Sequence, residues 1–393
     1  MKMWIYIIRR ALLLIPVIIG VMTVTFLIVS QLPVDDKLLS YIGPSKNGYS
    51  PTLPCDRVGI NSNGTCPNPA YIRGIHQLGL DKPIPVQWAV YVMNSLTLNW
   101  GSTEAKSQAS ESFGLGSQPI TTVLGMWLPY TLELAALSLM FILLLAVPLG
   151  NYSAVYRNRP LDQGARIMSF SGFALPGFLL AFALLVGASV ASGNGLECGN
   201  QSTHFFDWYQ SWPPEACWPG GTYPSWIGTF FQTSPTGFPT VDALYHHDWT
   251  AAFESVKRMI LPALTIAYGA IAAILRFVRN SMLEVMNLDF IRTARAKGVP
   301  ESSVVRKHAG RNSLNVTVTV LGLTFAGFIG GFPIVELVFH LRGVGLLLAY
   351  SILPSYDFGL IFGTTLLFTI IVVIANIVVD ILYAYLDPRV RLG

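Results

Sequence analysis

The sequence predicts an all-α membrane protein of six transmembrane helices, with both termini cytoplasmic and two large extracytoplasmic loop segments. Three observations predict it: a shortage of charge, six long apolar stretches, and a one-sided placement of Lys and Arg. Of 393 residues, 52% are hydrophobic and only 12% charged. Soluble domains carry about 25% charged residues, and half of that cannot coat a water-facing surface. The expected surroundings are therefore a lipid bilayer. A net charge of +4 gives no reason to expect nucleic acid as a partner.

Crossing the hydrocarbon core takes roughly 20 mostly apolar residues in a helix. The first qualifying stretch is 11–30. Arg9-Arg10 ahead of it imitate a signal peptide, but the run continues through Phe26-Leu27-Ile28-Val29, beyond an h-region, and no small-residue cleavage site follows. The expectation is an uncleaved span anchored by the Arg pair. The first outer segment, 32–127, is rich in Gly, Pro, Asn and Ser, and within it 83–100 reads as an amphipathic helix lying on the membrane or against the spans. Spans two and three follow at 128–155 and 167–191. The second outer segment, 192–258, is loaded with Trp, Tyr, Phe and Pro, which suits a cap packed on itself better than a linker. Span four, 259–275, is the shortest and lengthens only by taking in polar flanks; spans five and six are 312–335 and 358–385.

Basic residues set the orientation. Lys2, Arg9 and Arg10, then Arg157, Arg159 and Arg166, then the cluster from Arg276 to Arg311, then Arg389 and Arg391 all fall on one face of a six-span chain. That face is cytoplasmic, and residues 1–393 read as a single multi-pass domain of the cell membrane.

The cysteines agree with this topology. Cys55, Cys66, Cys198 and Cys217 all lie in the two outer segments. An even number on the oxidising side suggests disulfides, with local Cys55–Cys66 and Cys198–Cys217 bridges preferred among three pairings. Asn63 and Asn200 head glycosylation sequons in the same segments. Together they suggest a disulfide-bonded, N-glycosylated surface of archaeal type. No Cys or His spacing matches a zinc site, so no metal is expected.

Nucleotide chemistry is missing too. The chain has no G-x-x-x-x-G-K-[ST] loop, and no HExxH, GxSxG or GxGxxG in a suitable context. No catalytic residue and no bound cofactor are expected. Charges in a span are costly and often functional; Glu133 and Asp380 qualify, yet each lies toward a span end, where structural pairing is the simpler expectation. Glu336 and Asp357, at the outer mouths of spans five and six, are expected to be solvated.

The most informative stretch is cytoplasmic, at 281–311. Asp289–Lys297 reads as a short helix, Gly298 as its left-handed C-terminal cap, and Pro300-Glu301 as the first turn of a second helix. Such a helix–Gly–helix elbow presents a firm knob to another protein. Ala294, Ala296 and Gly298 would allow close approach.

Phe290–Gly298 followed by His308-Ala-Gly-Arg-Asn312 resembles the EAA loop of permeases in the oligopeptide/dipeptide ABC importer family. Met3–Arg10, Leu78-Gly-Leu-Asp-Lys-Pro83, Pro129-Tyr-Thr-Leu-Glu-Leu134, Arg279–Glu284 and Asp387-Pro-Arg-Val-Arg391 resemble further signatures of the family in the same order. Where the general pattern has Glu-Ala-Ala, this chain has Arg292-Thr293-Ala294. Residues 41–73 and 196–234, with all four cysteines, resemble the family least.

The resemblance implies a permease that pairs with a homologous second permease, two cytoplasmic ATPase subunits and an extracytoplasmic substrate-binding protein. ATP is then used by the partners, not by this chain. Docking on the ATPase would fall to Gly298, with Ala294 for close contact and Asp289, Arg292 and Arg295 for polar contacts. Peptides or oligosaccharides are the implied cargo. A secondary transporter would need mid-span ionisable residues, which are scarce. A membrane-anchored surface receptor would place function in the Trp-rich outer cap instead.

Overall fold

A computed structural model of the chain describes residues 3–34, 37–38, 52–54, 65–104, 107–191, 197–198, 201–202, 236–310, 312–313, 332–352 and 356–386. The described residues are overwhelmingly helical. In chain order they give α1 (Met3–Ser30), the paired short strands β1 (Thr52–Pro54) and β2 (Thr65–Pro67), α2 (Pro69–Leu78), α3 (Ile84–Leu96), α4 (Gln108–Phe113) and α5 (Ile120–Val155). There follow α6 (Pro160–Ala174), α7 (Gly177–Ala191), the two-residue strands β3 (Glu197–Cys198) and β4 (Gln201–Ser202), α8 (Pro239–Tyr245), α9 (Trp249–Met286) and α10 (Asp289–Ala296). The chain continues as α11 (Glu301–Ser303) with a π-helical extension Val304–Gly310, then α12 (Phe332–Val338), α13 (Val344–Ile352) and α14 (Phe358–Leu386).

Three helices among the described residues are long and apolar enough to cross a membrane: Ile120–Val155, Trp249–Met286 and Phe358–Val379. The second of these contains the short predicted span 259–275 and does gain its length from polar flanks. α1 contributes a shorter apolar stretch, Ile15–Ser30. The predicted third span is not one straight rod. α6 and α7 meet at a bend of 112°. The physical reason is Pro176, which has no N–H to continue the ladder and holds the preceding Leu175 extended, at φ −94° and ψ 116°. Most of the predicted fifth span, 312–335, lies outside the described residues.

The chain divides into two compact units. One comprises residues 11–128 and 344–371. Here α3 is a helix within the predicted stretch 83–100, and it rests on α1: Trp88 Nε1 donates to Thr23 Oγ1 at 3.1 Å. A core of Ile120, Leu124, Trp127, Leu346, Leu347 and Leu360 joins α5, α13 and α14. Gly359 and Gly363 sit one turn apart on α14, and a Cβ on either would strike the Ile120 side chain. This is the small-xxx-small arrangement that lets two membrane helices close up.

Asp357 fixes the same unit from the loop before α14. It is fully buried and accepts hydrogen bonds from Glu104 N (2.9 Å), Ser107 Oγ (2.9 Å) and Leu360 N (3.0 Å). The last of these caps the start of α14. The expectation of a solvated Asp357 is therefore wrong. A carboxylate surrounded by donors can be buried, and the sequence alone does not reveal which donors arrive from 250 residues away.

The other unit comprises residues 1–10, 129–343 and 372–393. α9 is its spine, with α6, α7 and α8 packed along it. Glu336 is also fully buried, not solvated, and accepts from Thr131 Oγ1 at 2.8 Å. Glu133 does find a structural role: its carboxylate accepts from the backbone N–H of Thr240 at 3.3 and 3.4 Å, on the first turn of α8. Asp242 turns the chain into α8 by accepting from Thr236 and Gly237.

Candidate coupling elbow

α9 runs out of apolar residues at Met286, and Leu288 turns extended (φ −72°, ψ 151°) to start α10 in a new direction. The predicted helix Asp289–Lys297 is present as α10, one residue shorter. Its acidic first residue and basic last turn suit the helix dipole. α10 ends where predicted: Gly298 has φ +74°, and its N–H returns to Arg295 O at 2.9 Å. Val299 N then bonds Ala294 O at 3.2 Å. Pro300 (φ −55°, ψ 138°) opens α11, which widens into the π-helical turns Val304–Gly310. The second arm is thus a helix, though a π-helix for most of its length.

Apolar residues close the elbow from within. Ile291 and Ala294 lie one turn apart on α10 and are buried together with Met282, Ala154, Val304 and Ala309. Ala294 therefore spaces the two arms of the elbow from inside the subunit; it does not lie on the outer face. Asp289, Arg292, Arg295 and Gly298 are exposed and lie on that outer face with Phe290 and Lys297.

Charge closes it from without. Arg295 Nε and Nη2 reach the two carboxylate oxygens of Glu301 at 3.0 and 2.6 Å, bridging the Gly298 turn. Hydrogen bonding between them raises the Arg295 pKa and lowers that of Glu301. Solvent screens the pair, so it adds at most about 1 kcal/mol. Its value is geometric, because a two-pronged contact fixes the angle between the arms. Asp289 and Arg292 are 96% and 73% exposed and only 3.5 Å apart at their nearest atoms. That leaves both free for another surface.

An ionic anchor stands behind the elbow. Asp162, at the start of α6, is fully buried. It accepts from Arg279 Nε on α9 (2.7 Å), Arg166 Nη2 (2.7 Å), Ser153 Oγ (2.5 Å) and Asn158 N (2.9 Å). One carboxylate thus ties α5, the α5–α6 turn and α6 to the part of α9 that carries the elbow. The sequence marks Arg166 and Arg279 as cytoplasmic, and Arg279 as part of a family signature, but singles out no role for Asp162. Its position two residues after a helix-starting Pro160, within reach of Arg166 one turn on, was the available signal.

The chain matches a model of the family described as binding-protein-dependent transport system inner membrane component, over residues 146–392. That range contains both the anchor and the elbow. The chain belongs to this family.

Similarity extends beyond the family match. The "Probable D,D-dipeptide transport system permease protein DdpB" of Escherichia coli (strain K12) is 32% identical, covering 100% of this chain and 99% of that protein. The oligopeptide transport system permease protein AppB of Bacillus subtilis (strain 168) is 29% identical, covering 98% and 99%. Both relatives are bacterial, and nothing among them supports the archaeal surface suggested by the cysteines and sequons. As an inner membrane component, the chain is a multi-pass membrane protein. Cys55, Cys217, Asn63 and Asn200 lie outside the described residues. Cys66 and Cys198 fall in β2 and β3, with their side chains outside the description.

Proposed function

We propose that this chain is one permease subunit of an ATP-driven peptide importer, and that the α10–Gly298–α11 elbow receives the work of ATP hydrolysis done in separate cytoplasmic subunits. A second, homologous permease completes the pathway, and an extracytoplasmic binding protein delivers the cargo. The chain spans the membrane six times with both termini inside, in line with the Lys and Arg asymmetry.

The observation that carries the reading is the elbow itself. It has an apolar inner face, a bidentate brace across the turn, and an outer face of Asp289, Phe290, Arg292 and Lys297 with little to do inside the subunit. A rigid knob set on the end of a long membrane helix transmits displacement; a loose basic loop does not. ATP drives such a knob only through the difference in its binding to two states of the ATPase. Peptide is preferred to oligosaccharide as cargo because both named relatives are peptide permeases.

A photo-crosslinking residue tests the docking directly. Placed at Arg292 or Asp289 in the full assembly, it should capture an ATPase subunit; placed at the exposed Val241 on α8, it should not. Capture at position 241 with none at 292 would remove the elbow as the docking element.

A further inference from the structure

A second feature lies away from the elbow, in the unit of residues 11–128 and 344–371. A cavity of about 580 Å³ opens among the end of α1, α2, α3, the loop before α4 and the start of α14. Its size is that of a small-molecule pocket. Its wall is aromatic, with Phe26, Tyr91, Trp100 and Phe362, and Asn94 adds an amide.

Three charged side chains also line it, Lys37, Lys82 and Glu104, and the first and last of these matter here. Lys37 is buried, at 8% exposure; its ammonium donates to Ser30 O at 2.9 Å and makes no ion pair among the described residues. An ammonium carries three donors. Glu104 is the counterpart. The N–H of Phe358 hydrogen-bonds its carboxyl group, but Oε2 is buried with no hydrogen-bond partner among the described residues. Buried polar atoms nearly always have partners, so an orphan in a cavity wall asks what else supplies one.

We propose that this cavity binds a small zwitterion, its primary ammonium on Glu104 and its anionic oxygens on Lys37, with an apolar body against the aromatic wall. Tyr91 and Trp100 suit both parts, since their faces also attract an ammonium group. Two sources carry this chemistry: a short peptide with free termini, and the headgroup of phosphatidylethanolamine. Neither the geometry nor the chemistry of the cavity depends on the elbow, so the proposal stands or falls apart from the coupling role.

Burial, reinforced by nearby Asp357, raises the Glu104 pKa to about 9, against the pull of the Phe358 N–H. With no cation beside it, the carboxyl of Glu104 is therefore a neutral acid at pH 7. An arriving ammonium favours the carboxylate, so binding releases a proton. The other charged or titratable groups lining the cavity are Lys37, Lys82 and Tyr91.

Calorimetry on the purified full-length chain, in micelles free of phosphatidylethanolamine, uses trialanine as the first probe. The expected result is saturable binding with about one proton released at pH 7, read from buffers of different ionisation enthalpy. N-acetylation or C-terminal amidation of the probe should each weaken binding at least tenfold. These changes are made on the ligand, so they need no variant. Glu104→Gln should abolish proton release and the penalty for N-acetylation; Lys37→Met should abolish the penalty for amidation.

In a second arm, native mass spectrometry follows phosphatidylethanolamine and phosphatidylcholine offered together. Preferential retention of phosphatidylethanolamine by the wild type but not by Glu104→Gln assigns the lipid as the source. Binding of trialanine with no lipid preference assigns the peptide. If neither probe binds, or if both variants bind as the wild type does, the proposal is overturned.

Discussion

Gly298 carries the turn of the elbow through backbone conformation alone. Its φ is +74°, and nothing lies within 4 Å of where a Cβ would stand. A neutral substitution there acts by strain, not by collision, whereas an acidic one also places a negative charge on the proposed docking face. A left-handed conformation costs an ordinary L-residue about 1–2 kcal/mol, and Asn less. We expect transport to fall in the order Gly298, Gly298→Asn, Gly298→Ala, with membrane levels unchanged; equal uptake for the Asn and Ala variants would show that the left-handed geometry is unimportant.

Asp162 behaves differently. It is wholly buried, and its strongest ionic partner, Arg279, has a side chain only 14% exposed. Removing one partner of such a pair strands the other charge, at a cost on the order of 3 kcal/mol. Asp162→Ala should lower the melting temperature clearly in detergent. Arg166→Ala should do little, because that side chain is 44% exposed. A similar loss from both would mean the node is not centred on Arg279.

Glu104 gives a pH dependence. Its folded pKa is raised from 4.5 to about 9, and burial raises that of Asp357 as well. The folded state then binds more protons than the unfolded one, so stability falls as pH rises. The window for Glu104 runs from its unfolded value, near 4.5, up to about 9. The melting temperature of the wild type should drop across that window, and Glu104→Gln should flatten the profile. A wild-type profile that rises with pH would contradict the assignment.

At the scale of elements, local chemistry was legible and burial was not. The end of α10 at Gly298, the start of α11 at Pro300 and the helix α3 each follow from a few neighbouring residues. The bend between α6 and α7 hangs on Pro176, yet apolar composition through 167–191 hid it, because hydropathy averages over a proline. Glu336 and Asp357 read as loop-end charges, and their partners Thr131 and Ser107 come from distant helices. Ala294 is small, which suits an outer contact, but its place on the stripe of Ile291 puts it inside.

The elbow makes a prediction at this scale. Arg295→Ala removes the brace without disturbing the inner apolar face. It should leave the thermal stability within about 1 kcal/mol of wild type while reducing transport. The reversed pair, Arg295→Glu with Glu301→Arg, should recover part of the loss. No recovery would mean that Arg295 acts through an outside partner and not through Glu301.

For the whole molecule, composition and Lys and Arg placement were enough to assign a multi-pass membrane protein, and co-linear signatures were enough to assign the family, which the match over 146–392 bears out. The anchor at Asp162, the braced turn at Gly298 and the long helix α9 between them lie inside one unit, and in the proposed coupling they form one path. The central claim is that ATP energy enters the permease by that path. Its most direct test measures ATP hydrolysis and peptide uptake together, in vesicles holding the complete transporter with wild-type chain or Gly298→Asp. Uptake should be lost with Gly298→Asp at unchanged permease level, with hydrolysis no longer responding to peptide-loaded binding protein. Normal uptake and normal stimulation in that variant would contradict it.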